Sequence, residues 1–143
     1  MEKIKVLLVD DRDVIRDCLK LLFKSSLDIE IVAEANDGLE ALCKAQNSEY
    51  DIILMDYNMP EKNGLVVLKN LMEINPNIRV LMFSMVTNAD IIRELLDEGA
   101  YGYIVKNSHI NIYEQAIKIV NSGGKYLCEE TKNILTQVSD IAS

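Results

Sequence analysis

The chain has 143 residues, 49% of them hydrophobic, with 23 acidic against 15 basic side chains and a formal net charge of −8. That length supports one domain burying roughly 68–70% of the surface its unfolded chain would expose, and the negative balance makes nucleic acid a poor direct partner. Cys18, Cys43 and Cys128 show neither a CxxC nor a His-paired spacing, which argues against a disulfide framework and a zinc site. No stretch has the length or character of a signal peptide or a membrane span, so a cytoplasmic protein without membrane association is expected.

The first predicted strand, Lys3–Val9, is β-branched and leucine-rich and ends at Asp10 and Asp11. Val14, Ile15, Cys18, Leu19 and Leu22 then recur at helical spacing, and Ile29–Ala35 predicts a second strand. Cys18 and Cys43 are expected on helix faces near the core. After Asn36, Asp37 and Gly38, a second helix is expected to turn Leu39, Leu42 and Ala45 inward. The third strand, Asp51–Met55, runs straight into Asp56 before Asn58, Pro60, Asn63 and Gly64 break the pattern. A helix carrying Leu65, Leu68 and Met72 leads through Pro76 to a fourth strand, Ile78–Phe83, which ends at Ser84. Asn88 is placed to cap a helix holding Ile91, Ile92, Leu95 and Leu96, which Gly99 ends. The fifth strand, Tyr101–Val105, stops at Lys106, and Ile112, Ala116, Ile119 and Val120 mark a fifth helix closed by Gly123–Gly124. Such alternation predicts an α/β fold with a parallel sheet covered on both faces. Tyr126–Cys128 is too short to predict a strand; Glu129–Ile141, with Ile134, Leu135 and Val138 on one face, predicts a sixth helix outside the repeat.

In a parallel sheet the carboxyl ends of the strands share one edge, where ligands bind. Asp10, Asp11, Asp56, Ser84 and Lys106 therefore meet. Three carboxylates repel one another, and a divalent cation relieves that repulsion; hard oxygen ligands with open positions suit Mg2+. With the Lys106 ammonium and the Ser84 hydroxyl, the set is suited to stabilising the oxygens of a phosphoryl group delivered in line to Asp56.

LLVDD at the first strand, ILMDYNMPEKNGL around Asp56, FS at the fourth strand and GAYGYIVK at the fifth together resemble a response-regulator receiver domain of bacterial two-component signalling, over roughly Ile4–Ser122. The resemblance implies a flavodoxin-like, doubly wound five-stranded sheet of order 2-1-3-4-5 with five helices plus a C-terminal linker helix; the chemotaxis regulator is the standard example of this order. It implies that Asp56 is the phosphoacceptor, that Asp10, Asp11, Asp56 and the Asn58 carbonyl hold Mg2+, and that Ser84 and Lys106 contact the phosphoryl oxygens. Tyr103 would be the aromatic switch that turns inward when Ser84 moves. Two positions depart from the family pattern: Asn107 stands where proline is usual, against the cis peptide often found after the lysine, and Met85 stands where a small residue is common, narrowing access to the pocket.

The tail NSGGKYLCEETKNIL resembles the join in NarL/LuxR-class regulators. The expected division is a receiver at 1–124 and a linker helix at 125–143 leading toward a helix-turn-helix DNA-binding domain absent from this sequence. The implied partners are a sensor histidine kinase and, on phosphorylation, a second copy; DNA contact would come through the missing domain and not from this chain. The alternative is a stand-alone receiver acting by protein contact or phosphorelay. An FMN-binding flavodoxin-like protein is disfavoured because Asp10–Asp11 would repel a phosphate. An Mg-dependent aspartyl phosphatase would need a general acid near Asp56, where Tyr57 and Asn58 serve poorly. A phosphoacceptor signalling domain, not an enzyme, is the expectation.

Overall fold

A computed structural model of the chain describes residues 2–47, 49–106 and 109–142. Strands β1 (Ile4–Val9), β2 (Ile29–Ala35), β3 (Ile52–Asp56), β4 (Val80–Ser84), β5 (Gly102–Val105) and β6 (Tyr126–Leu127) form one sheet. Its order is β2-β1-β3-β4-β5-β6, parallel throughout. The fold is the expected α/β flavodoxin-like one, but with six strands, not five, among the described residues. β6 is only two residues long, so its own sequence carries no period; it becomes a strand because β5 offers it an edge.

The central strands are buried on both faces, and their period of two sorts side chains into two cores. Leu7, Val9, Ile53, Met55, Met82 and Tyr103 face one way. They pack with α2 (Gly38–Ala45), α3 (Gly64–Ile74) and α4 (Ala89–Asp97). Val6, Leu8, Ile52, Leu54, Leu81 and Phe83 face α1 (Asp13–Phe23) and α5 (Ile110–Asn121). Each large side chain so buried contributes roughly 1.5–3 kcal/mol. Asp37, Asn63 and Asn88 cap α2, α3 and α4, their side chains accepting from Glu40 N (2.8 Å), Val66 N (3.1 Å) and Asp90 N (2.9 Å), at about 1 kcal/mol each.

Some helix faces differ from expectation. α1 seats Leu19 and Phe23 against the sheet, leaving Val14 77% exposed and Leu22 47% exposed. The short α2 rests on Ala41 and Ala45, which turns Leu39 outward. Cys18 and Cys43 are exposed, not near the core; only Cys128 is buried among the three. Each outlying residue sits at the margin of its apolar stripe, where spacing alone does not fix the helix's rotation on the sheet.

α6 (Glu129–Ala142) packs on α4 and β5. Ile134 and Leu135 meet the α4 side of the core, and the Leu135 carbonyl accepts from Arg93 Nη2 at 3.1 Å. Thr131 is fully buried, its hydroxyl 3.1 Å from Cys128 Sγ and donating to the Tyr103 carbonyl at 3.4 Å. The Val138 side chain lies outside the described residues. The expected boundary after residue 124 thus falls between α5 and a strand and helix that are joined to the sheet.

β6 fits because residue 102 lacks a side chain: a Cβ there would lie 2.2 Å from the Tyr126 carbonyl oxygen. Gly102→Ala should cost about 1–3 kcal/mol in denaturant titration and weaken hydrogen-exchange protection of the Tyr126 amide, which donates to the Tyr101 carbonyl at 2.9 Å. Unchanged protection would show that β6 does not depend on this contact.

Candidate functional site

The ends of β1, β3, β4 and β5 bring together the residues singled out from the sequence. Asp10, Asp56 and Ser84 are buried, although all are polar. Asp10, Asp11 and Asp56 each present a carboxylate oxygen, all within 4.8 Å of one another. From the end of β5 the Lys106 ammonium reaches across, 2.9 Å from Asp10 Oδ2 and 3.2 Å from Asp56 Oδ2. Asp10 Oδ1 accepts from Arg12 N at 2.9 Å, and Asp56 Oδ1 from Asn58 N at 3.3 Å.

The electrostatics are unbalanced. At an effective dielectric near 20, two unit charges ~4 Å apart interact by about 4 kcal/mol, so attraction to one ammonium and repulsion between neighbouring carboxylates are of similar size. One buried lysine against three carboxylates leaves a net charge of −2, which the exposed Arg12 guanidinium 3.8 Å from Asp10 Oδ1 offsets only weakly and which a divalent cation matches. Among the described residues no hydrogen bond reaches buried Asp10 Oδ2. Lys106 offsets its charge at 2.9 Å but without hydrogen-bond alignment. A buried carboxylate oxygen without a donor, beside two other hard oxygens, fits a magnesium-type ligand set. Burial raises the Asp56 pKa; Lys106 opposes the rise and Asp10 adds to it.

Ser84 and Tyr103 are both engaged by Val86. The Val86 N–H donates to Ser84 Oγ at 3.1 Å, while Tyr103 Oη donates to the Val86 carbonyl at 2.6 Å. The Tyr103 ring is fully buried, and burial pushes its pKa up to about 12. The ring therefore occupies an inward position.

Residues 6–118 match the response regulator receiver domain family. The chain belongs to this family. It is 36% identical over 127 residues to the transcriptional regulatory protein LnrK of Bacillus subtilis (strain 168), covering 89% of this chain and 58% of that protein. With the transcriptional regulatory protein DegU of Brevibacillus brevis it shares 31% identity over 125 residues, 87% of this chain and 53% of the relative. The chain thus spans little more than half the length of these two proteins. The structure of the signal receiver domain of the putative response regulator NarL from Mycobacterium tuberculosis superposes with a TM-score of 0.81 at 28% identity, covering 86% of this chain and 99% of that one. A LuxR-family two-component response regulator from Aurantimonas sp. SI85-9A1 reaches a TM-score of 0.91 at 24% identity over 96% of this chain and 99% of that one, a likeness of fold. This is a two-component receiver domain whose relatives are NarL/LuxR-class regulators.

The parts that four residues play in this receiver site are not read from the sequence. Arg16 donates to the Asp10 carbonyl. Tyr113 Oη donates to the Lys106 carbonyl at 3.0 Å, and the Phe83 ring lies 5.1 Å from the Lys106 ammonium. Gly64 lets α3 start against the Asp56 loop: a Cβ there would come within 2.7 Å of Tyr57 Cα and 2.9 Å of the Asp56 carbonyl oxygen. Each looked like an ordinary helix, core or turn residue, and the Asp–Arg spacing of Asp13 and Arg16 was the one available signal. Met85 is 56% exposed. The Lys106–Asn107 peptide lies outside the described residues.

An acid whose folded pKa exceeds its unfolded one binds more protons when folded, so its contribution to stability falls as pH rises from the unfolded pKa through the folded one. Asp56 is such a group. Asp56→Asn should therefore raise Tm at neutral pH in the presence of chelator, and the gain should shrink as pH falls through the carboxylate range. A gain independent of pH in calorimetry would contradict the burial argument.

Proposed function

We propose that this receiver works in the cytoplasm and that its Asp56 accepts a phosphoryl group from the phosphohistidine of a sensor histidine kinase. The observation that carries the reading is the convergence of carboxylate oxygens of Asp10, Asp11 and Asp56 within 4.8 Å of one another, with the Lys106 ammonium paired to Asp10 and Asp56. A carboxylate oxygen of Asp56 forms the P–O bond as the P–N bond to the imidazole breaks; the imidazole leaves with the electron pair. Asp10, Asp11 and Asp56, with the Asn58 carbonyl, would hold Mg2+, whose charge offsets that of the phosphoryl oxygens. Lys106 then pairs with one phosphoryl oxygen and the Ser84 hydroxyl donates to another, in a pocket that keeps these charges out of bulk water.

The product carries close to two negative charges where one carboxylate stood. Drawing Ser84 toward them disturbs its bond from Val86 N–H, and Val86 in turn holds the Tyr103 hydroxyl. The signal thus passes from phosphoryl group to Ser84, Val86 and Tyr103, and on to the face of α4, β5 and α5, which in this chain includes β6 and α6. The readout is dimerisation. In a NarL/LuxR-class regulator it would act on transcription through a further helix-turn-helix domain, a reading that the names of the relatives support. The chain itself acts as a phosphoacceptor, not as a turnover enzyme.

With acetyl phosphate and Mg2+, intact-mass spectrometry should show one phosphoryl group on the wild type, none on Asp56→Asn and severely slowed uptake by Asp11→Ala. Uptake by Asp56→Asn at the wild-type rate, or unchanged uptake in excess chelator, would overturn the assignment. In an anisotropy titration at low salt, this chain should bind no duplex DNA in the micromolar range, phosphorylated or not.

A further inference from the structure

We propose that Arg16 is a positioning residue of the acidic cluster, fixing the peptide between Asp10 and Asp11 so that both carboxylates converge on a divalent cation. The inference rests on the reading of these acids as cation ligands. Arg16 lies on α1 outside the cluster, its side chain only 12% exposed, and touches neither acidic side chain of the pair. Its guanidinium serves three acceptors at once. Nη1 donates to the Asp10 carbonyl, Nε to Glu34 Oε1 at 3.1 Å, and Nη2 to Asp13 Oδ1.

The Asp10 carbonyl is half of the peptide whose N–H belongs to Asp11. The preceding peptide is also pinned, since the Asp10 N–H donates to the Ala35 carbonyl at 3.1 Å. With both planes fixed, the backbone at Asp10 cannot rotate, and the directions of the Asp10 and Asp11 side chains are set together. Ligand geometry tolerates little error, about 0.5 Å, so this restraint bears directly on affinity. Glu34 anchors the arginine from β2. Its other oxygen is held by Lys20 at 2.8 Å and its carbonyl accepts from Lys44, so α1, β2 and α2 are tied to one point. The planar fork presents its donors from separate nitrogens in fixed directions; lysine keeps the charge but gathers its donors on one nitrogen and loses the fork.

A Mg2+ titration followed by the Asp11 and Lys106 amide resonances, with the unfolding midpoint measured separately, decides the matter. Positioning and plain electrostatics predict opposite signs. Removing a cation near the site should tighten Mg2+ binding if Arg16 acts only through its charge. If it positions the acids, Arg16→Met should weaken binding by about 10- to 100-fold, the usual cost of losing a group that orients metal ligands. Arg16→Lys should also weaken it although the charge is retained, where plain electrostatics predicts no change. Should Arg16→Met fail to fold, Arg16→Lys carries the test. Wild-type or tighter binding by the folded variants would overturn the proposal while leaving the metal reading intact. A wild type that binds no Mg2+ would overturn both.

Discussion

The structure depends on one interaction: the Lys106 ammonium held between Asp10 and Asp56 at the carboxyl ends of three strands. Burying two carboxylates without a cation would cost several kcal/mol each. Lys106 makes their burial possible, yet its single charge does not neutralise the cluster. The remaining negative charge matches that of a divalent cation, and burial keeps Asp56 from being a comfortably solvated carboxylate.

The same requirement explains why the surroundings are so rigid. β3 and β4 are buried along their whole length, so Asp56 and Ser84 sit on supports that cannot shift independently. Phe83 lies under the lysine, Tyr113 holds its carbonyl, and Gly64 lets the start of α3 close against the Asp56 loop. In the segment after β4, Val86 joins Ser84 to Tyr103 through its own amide and carbonyl. A change at the serine can reach the tyrosine through one residue's backbone.

The strand ends were legible in the sequence because each apolar run stops abruptly at a polar residue, and topology alone then brings Asp10, Asp56, Ser84 and Lys106 to one edge. What could not be read was anything decided by partners remote in the chain. β6 exists only because β5 has a free edge and a glycine at position 102. Val14 and Leu22 satisfy helical spacing but lie beside the contact line, while Phe23, one residue farther on, fills it. Arg16 reads as a solvated helix residue until the fold places the Asp10 carbonyl and Glu34 around it. The inward state of Tyr103 was equally illegible, because strand alternation chooses the face but the hydroxyl's partner lies in the loop after β4.

The docking of β6 and α6 has a consequence for modular engineering. The βα repeat ends at Gly124, which makes the following residues look like an expendable connector for grafting this receiver onto another output. A junction cut there would strip β5 of its outer neighbour, leaving its N–H and C=O groups open to pairing with other chains, and would uncover the apolar surface that Ile134 and Leu135 shield. A chimera should be spliced beyond α6; the helix belongs with the sheet as its edge guard.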